Sequence, residues 1–240
     1  EQELAEEESR FMKMLDHIRD AVLGMNDGLV EILSVTMGLV GAYGSAFHVA
    51  LSGLVVAVAG ALSMGIGAFV AARAQRQVHE GSLARILLAA RYAAHVFEDR
   101  IRRFMEDKGY SGEAASKVAM ESAKDPKLMA RIISEEEYGL KEERLEDPRA
   151  AGLYTGLAYL LSALLPIIPY FMSLPIIPSM LLSLLIAGLA LSATGLVIAI
   201  SANLPVKKKI AEMVLAGFGS AAATFTLGRI FSMIFGVTVA

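Results

Sequence analysis

The sequence predicts an all-α polytopic membrane protein with five transmembrane helices and a cytoplasmic helical domain inserted between the second and the third. Two observations predict this fold class. Of the 240 residues 55% are apolar, and residues 32–72 and 150–206 contain no Lys, Arg, Asp or Glu. Helices of soluble domains keep a polar face, whereas a helix that crosses a bilayer needs about 20 mostly apolar residues. Each charge-free stretch is therefore long enough for two spans.

Turn-forming residues divide these stretches into single spans. The sequence Gly-Ala-Tyr-Gly-Ser at 41–45 interrupts the first stretch, and Pro175 and Pro178 interrupt the second, because Gly and Pro are the strongest breakers of a helical pattern. Pro205 ends the fourth span, and a fifth apolar segment follows it. The predicted spans are residues 28–45, 48–72, 151–172, 179–203 and 210–239.

Positively charged flanks predict the orientation, since short loops rich in Lys and Arg stay in the cytoplasm. With five spans, all such flanks fall on one side. They are Arg10, Lys13 and Arg19, then Arg73 and Arg76, then Arg144 and Arg149, and finally Lys207, Lys208 and Lys209. The N-terminus is therefore predicted to be cytoplasmic, with residues 1–20 as an amphipathic helix on that face. We expect the protein in the cell membrane of a prokaryote or in a vacuolar-type membrane of a eukaryote.

The inserted domain, residues 73–149, is neutral but densely charged, with 15 Lys or Arg and 15 Asp or Glu. Its first helix is predicted to continue from span two to about Val96, followed by helices over 97–108, 111–122 and 126–138. Two interpretations stay open. The charges form ion pairs on a solvated helical surface, or the carboxylates bind a divalent cation. The candidate ligands are Glu98, Glu106, Glu135, Glu136 and Glu137.

Two carboxylates near the membrane are the most informative residues. Asp27 and Glu31 lie four residues apart at the start of span one, so both project from one helix face. Ionisable groups at membrane depth usually face a bundle interior or an aqueous path; the alternative is that both lie among the headgroups. In span two, Ser63 and Met64 interrupt an apolar run. A Met usually packs, but a thioether beside carboxylates favours a transition metal over Mg²⁺ or Ca²⁺.

Several classes of function are excluded. No Ser/His/Asp set, P-loop or zinc motif is present, and the four His are scattered, so we expect no enzyme and no permanently bound cofactor. The sequence contains no basic stripe with interleaved aromatic residues, so nucleic-acid binding is not predicted. The chain has no Cys, which excludes disulfides and thiolate metal sites.

Small residues are dense in spans two and five, which allows close helix contact in a dimer or around a path.

Five blocks of this sequence resemble the vacuolar iron transporter family, which includes the plant vacuolar iron transporters and the yeast Ca²⁺-sensitive cross-complementer group. They occur in the family's order and cover nearly all of the chain from residue 20. The blocks are Asn26-Asp27-Gly28-Leu29-Val30 with Gly38-Leu39-Val40-Gly41-Ala42, Ser63-Met64-Gly65-Ile66-Gly67-Ala68-Phe69 with Ala74-Gln75-Arg76, Glu137-Tyr138-Gly139-Leu140, Pro166-Ile167-Ile168-Pro169-Tyr170, and Thr226-Leu227-Gly228-Arg229.

The resemblance implies a homodimer in the lipid bilayer that exports Fe²⁺, and often Mn²⁺, from the cytosol in exchange for protons. It implies a path at the dimer interface, with Asp27 as the first-helix carboxylate and Met64 as the second-helix thioether that hold the ion. The family's second-helix Glu is replaced here by Val56. We hypothesise that Glu31 supplies the missing carboxylate. Ser63 and Tyr170 are candidate path or gate residues.

The inserted domain also departs from the family, because its first helix carries no carboxylate after Glu80. Metal binding there is therefore open. The alternative function is a membrane-anchored metal-binding or sensing protein whose cytoplasmic helices dock a partner. The metal preference and the driving ion are open as well.

Overall fold

The computed structural model describes residues 2–139, 145 and 147–236, and for residues 2–20 and Tyr138 it describes the backbone alone. The described residues leave out the side chains of the predicted amphipathic segment 1–20, Leu140 of the third family block, Arg144 of the predicted cytoplasmic flank and residues 237–239 of the predicted fifth span. The described residues form helices. They are α1 (Gln2–Ala42), α2 (Ala46–Tyr92), α3 (Ala94–Asp107), α4 (Gly112–Ser122), α5 (Pro126–Tyr138), α6 (Pro148–Phe171), α7 (Ile176–Ser201) and α8 (Val206–Phe235).

Five of these helices are long and apolar enough to cross a bilayer: α2, α6, α7, α8 and the Ala21–Ala42 part of α1. This confirms the predicted all-helical class and the five spans. The predicted break at 41–45 is the turn between α1 and α2. The first span is not a separate helix, however, because α1 runs without a break from Gln2 to Ala42.

In each of the other two turns between spans, a residue in the left-handed backbone conformation is followed two positions later by a proline. Ser173 and Asn203 have φ of 54° and 51°, a region that ends a helix and that few residues other than Gly and Asn adopt readily. Pro175 and Pro205 then occupy the N-cap positions of α7 and α8. A proline suits a helix start, where its missing N–H would have no partner.

The chain divides into two compact units, one formed by residues 1–70 and 148–240 and the other by Ala71–Asp147. In the first, the membrane-spanning unit, α1 packs against α6, α7 and α8. Leu29, Ile32 and Leu33 of α1 are fully buried. The core also takes Val49, Ala50 and Ala57 from α2 and Tyr159, Ala163 and Ile167 from α6.

Glycines allow α1 and α8 to approach closely. A Cβ added at Gly228 of α8 would collide with the backbone of Gly38 and Ala42 in α1, whereas one at Gly219, also in α8, would meet nothing within 4 Å. Only a glycine fits the first position, because both neighbours are backbone atoms that cannot rotate away.

We expect Gly228→Ala to destabilise the membrane-spanning unit by about 1–3 kcal/mol through overpacking. Gly219→Ala is the matched control and should be neutral or stabilising, since Ala is favoured over Gly inside a helix by about 1 kcal/mol. Thermal unfolding of the detergent-solubilised variants measures both. Equal unfolding temperatures for the two variants would contradict the close approach of α1 and α8.

The second, inserted unit has its own core. Ile86 and Ala90 of α2 pack with Phe97, Ile101 and Ile133 of α3 and α5. Side chains cap the shorter helices: Ser111 accepts from Ala114 N at the start of α4, and Asp125 accepts from Lys127 N at the start of α5. Gly139, with φ of 64°, ends α5 in the left-handed conformation that favours glycine. The first helix ends at Tyr92 rather than Val96, because Ala93 leaves the helical region with φ −135° and ψ 44°.

Candidate functional site

A hydrogen bond between α1 and α6 defines the candidate site in the membrane-spanning unit. The hydroxyl of Tyr159 donates to Oε2 of Glu31 over 2.7 Å. Tyr159 is fully buried, whereas Glu31 is exposed at the surface of this unit. Hydrogen bonds to an ionised group are short and strong, so Tyr159 fixes one carboxylate oxygen of Glu31 and leaves the other available.

Glycines on two neighbouring helices make room for this tyrosine. A Cβ at Gly28 of α1 would collide with the Tyr159 carbonyl, and one at Gly60 of α2 would collide with the Tyr159 ring and hydroxyl. The hydroxyl that holds Glu31 therefore lies directly against α2 at Gly60. Val56 and Met64 lie one helical turn to either side of Gly60, and both are partly buried against the core. The Glu31 carboxylate is thus placed beside the segment of α2 that bears Val56 and Met64.

Asp27 lies one turn before Glu31 on α1 and is half-buried. Nδ2 of Asn26 donates to Oδ1 of Asp27 over 3.4 Å, which is a long contact. Oδ1 of Asn26 is itself buried without a hydrogen-bond partner. Residues 26–31 of α1 therefore carry two carboxylates and one unsatisfied amide oxygen, groups of the kind that a divalent cation binds.

A groove of about 750 Å³ runs between α1 and α8 and begins at Glu31. Hydroxyl groups of serine and threonine side chains in the groove form hydrogen bonds between α1 and α8. Ser34 Oγ contacts Ser220 Oγ at 2.7 Å, and Thr224 Oγ1 donates to the Ser34 carbonyl over 2.6 Å. Ser232 of α8 lines the groove further on. Most of the lining is apolar, with Leu39, Leu227 and Phe231 among its side chains, so the polar groups of the groove are the Glu31 carboxylate and a few hydroxyls. An ion in the groove would therefore bind next to Glu31.

The remaining membrane candidates do not line this groove. Met64 packs against the core, and Ser63 is exposed on α2. Tyr170 is buried with its hydroxyl unpaired, beside Thr36 and Ser183, which donate their own protons to backbone carbonyls. Pro166 and Pro169 lie within the continuous helix α6, and Ser183 of α7 donates to the Pro166 carbonyl over 2.7 Å.

Basic side chains pair with most of the predicted ligands of the inserted unit. Glu137 pairs with Arg100 of α3, and Glu136 pairs with Lys108. The pairs of Glu135 with Arg131, at 3.0 Å, and of Glu106 with Arg102, at 3.2 Å, are local to one helix. Glu98 lines a small surface pocket with His95, Asp99 and Arg102.

The ion pairs also affect protonation in this unit. The guanidinium of Arg102 donates to Asp99 over 2.6 Å and holds the pKa of that carboxyl below its ordinary value, with Arg103 adding to the effect. Among the residues that the structure describes, no three His, Asp or Glu side chains lie close enough to share a metal ion. The described part of the inserted unit therefore presents a surface of ion pairs, and metal binding by its five predicted glutamates stays a prediction.

Comparison with known proteins gives the family. The sequence profile described as the VIT family matches residues 18–229. The chain belongs to the VIT family. Among the similar proteins are vacuolar iron transporter 1 of Tulipa gesneriana, which is 25% identical over 92% of this chain and 90% of its own, and vacuolar iron transporter 1 of Eucalyptus grandis, which is 28% identical over 86% and 83%. Protein CCC1 of Saccharomyces cerevisiae is 24% identical over 87% of this chain and 67% of its own.

These matches confirm the predicted resemblance and the prediction that this VIT-family protein is not an enzyme. Sequence reasoning missed two parts of the candidate site. They are the hydroxyl of Tyr159 and the hydroxyls of Ser220 and Thr224 in α8, which the sequence analysis does not include among the candidate site groups. The spacing of Ser220 and Thr224, four residues apart on one face of α8, is a signal that could have indicated the polar side of the groove.

Proposed function

We propose that this VIT-family protein is a membrane transporter of divalent metal ions, with Fe²⁺ as its main cargo and Mn²⁺ as a second one. The observation that carries the proposal is the Glu31 carboxylate, held by Tyr159 at the head of a groove in a bundle of five candidate spans. Relatives with iron-transporter names that align over most of the chain support it. We place the protein in a vacuolar-type membrane, with a cytoplasmic N-terminus and inserted unit.

Asp27 and Glu31 supply hard oxygen ligands in this mechanism, and Met64 supplies a soft one. Such a mixed set suits Fe²⁺ better than Mg²⁺ or Ca²⁺. The metal must compete with protons for the same carboxylates. Binding from the cytosol therefore releases protons, and protons entering from the far side displace the metal, which gives antiport. The ion is a substrate, and the mechanism requires no resident cofactor.

A second copy of the chain completes the proposed site. Glu31 is exposed on an otherwise apolar surface, and a charged group facing lipid is costly. Residues on the outer side of α2 are exposed as well, among them Phe47, Leu51, Val55, Leu62 and Ile66. A homodimer that brings Glu31 and Asp27 of each subunit to a shared path would cover the charge and double the number of ligands.

Transport into proteoliposomes tests the proposal. With Fe²⁺ outside and an acidic lumen, we expect the reconstituted protein to accumulate Fe²⁺ and to take up Mn²⁺ more slowly, while the lumen loses protons. Asp27→Ala should reduce uptake by about tenfold or more, because loss of a charged ligand costs at least about 1.4 kcal/mol. A protein that binds Fe²⁺ without moving it would instead be the membrane-anchored sensor.

A further inference from the structure

The inserted unit contains a cavity of about 280 Å³ between α2 and α5. One water takes about 30 Å³ of liquid volume, so the cavity has room for a small organic molecule. The residues that line it are His79, Leu83 and Leu87 of α2 and Lys127, Ala130, Arg131, Ser134 and Glu135 of α5. The proposed transport mechanism uses none of the three α2 residues in this lining.

Two buried polar atoms at this cavity have no hydrogen-bond partner. They are Nδ1 of His79 and Oγ of Ser134, in side chains that are only 4% and 1% exposed. Ser122 in the same unit is equally buried, but its hydroxyl donates to the Val118 carbonyl over 2.7 Å. Buried polar groups are paired as a rule, so two unpaired ones at the wall of one cavity mark positions that a water or a ligand would satisfy.

The charges at the cavity favour an anion. Among the described lining residues Lys127 and Arg131 are cationic and Glu135 is acidic, and Glu135 accepts a hydrogen bond from Arg131 over 3.0 Å. The pair neutralises itself and leaves the Lys127 charge, which repels a divalent cation and attracts an anion. Leu83, Leu87 and Ala130 form an apolar wall, which suits an aliphatic body better than a bare inorganic ion.

We propose that this cavity binds a small aliphatic carboxylate of about the size of succinate. The Ser134 hydroxyl and the His79 ring, in the tautomer protonated at Nδ1, donate to the carboxylate oxygens, which only accept. Lys127 supplies the opposite charge, and hydrogen bonds assisted by charge are the stronger kind. Occupancy bridges α2 and α5 within the inserted unit, so the ligand should also stabilise that unit.

Isothermal titration calorimetry on the full chain in detergent tests the proposal, with succinate and inorganic phosphate as probes. Succinate should bind saturably and more tightly than phosphate. Ser134→Ala and Lys127→Met should each weaken succinate binding by about tenfold. The matched controls are Ser122→Ala, which removes an already paired hydroxyl, and Lys124→Met, which removes an exposed lysine paired with Glu121; both should leave the affinity unchanged.

Three results would overturn the proposal. The native chain binds no succinate, phosphate binds as tightly as succinate, or Lys127→Met binds succinate like Lys124→Met. Lys127 is exposed, so its variant should fold even if a substitution at buried Ser134 does not. None of these results depends on metal transport.

Discussion

Glu31→Gln is expected to reduce Fe²⁺ uptake into proteoliposomes by at least about tenfold. The amide keeps the size of the side chain and can still accept the Tyr159 hydrogen bond seen at 2.7 Å. It loses the negative charge, however, and a neutral amide oxygen binds a divalent cation more weakly than a carboxylate does. Because exchange needs a group that binds metal and proton in turn, both metal affinity and proton release should fall.

Glu212→Gln is a suitable control, since Glu212 is an exposed carboxylate at the start of α8 whose partner is Lys209. It should transport like the native chain. Native uptake and native metal affinity in Glu31→Gln would show that the carboxylate carries no part of the site.

Tyr159→Phe should weaken metal binding and slow uptake, with an effect of about tenfold. The variant keeps the ring that packs against Gly60 and removes only the donor to Glu31. A hydrogen bond to a charged group is worth about 1.5–3 kcal/mol, and without it the carboxylate is free to rotate away from α2. The measurement is the Fe²⁺ concentration at half-maximal uptake together with equilibrium metal binding.

A double-mutant cycle separates this role from a purely structural one. If Tyr159 acts by orienting Glu31, Tyr159→Phe should have little further effect in the Glu31→Gln background. Additive losses would mean that Tyr159 acts through packing or through another group.

The five spans could be predicted because bilayer crossing leaves a coarse signal, namely long stretches without charge interrupted by Gly or Pro. Helix ends without such residues were harder to predict. The break between α2 and α3 falls at Ala93, in a run of good helix formers that gives no local indication of it. The continuity of α1 through residue 20 was missed for the opposite reason. A change from acidic to apolar composition suggested a boundary, although nothing in the backbone interrupts the helix.

The candidate site was predictable only where it follows helical spacing. Asp27 and Glu31 could be placed on one face from their separation alone, and the structure brings Glu31 to α2 as well. Tyr159 could not be found in this way, because a single tyrosine in an apolar span does not form a repeating pattern that would mark a helix face. Its role depends on Gly28 and Gly60, on two other helices, leaving space for it.

The acidic residues of the inserted unit show what sequence cannot provide. Local pairs such as Arg131 with Glu135 follow from a spacing of four residues. The pairs of Arg100 with Glu137 and of Lys108 with Glu136 join α3 to the end of α5. They depend on how the helices pack, so the sequence alone could not distinguish ion pairs from a metal-binding cluster.

The most direct test of the membrane site is to return the carboxylate to α2. Val56 lies one turn from Gly60, against which the Tyr159 hydroxyl packs. If Glu31 replaces the family's second-helix glutamate, Val56→Glu should restore Fe²⁺ uptake to the Glu31→Gln variant. We expect recovery to within a few-fold of the native rate, with Val56→Gln in the same background remaining inactive. A folded Glu31→Gln, Val56→Glu variant that binds and transports no more Fe²⁺ than Glu31→Gln alone would contradict it.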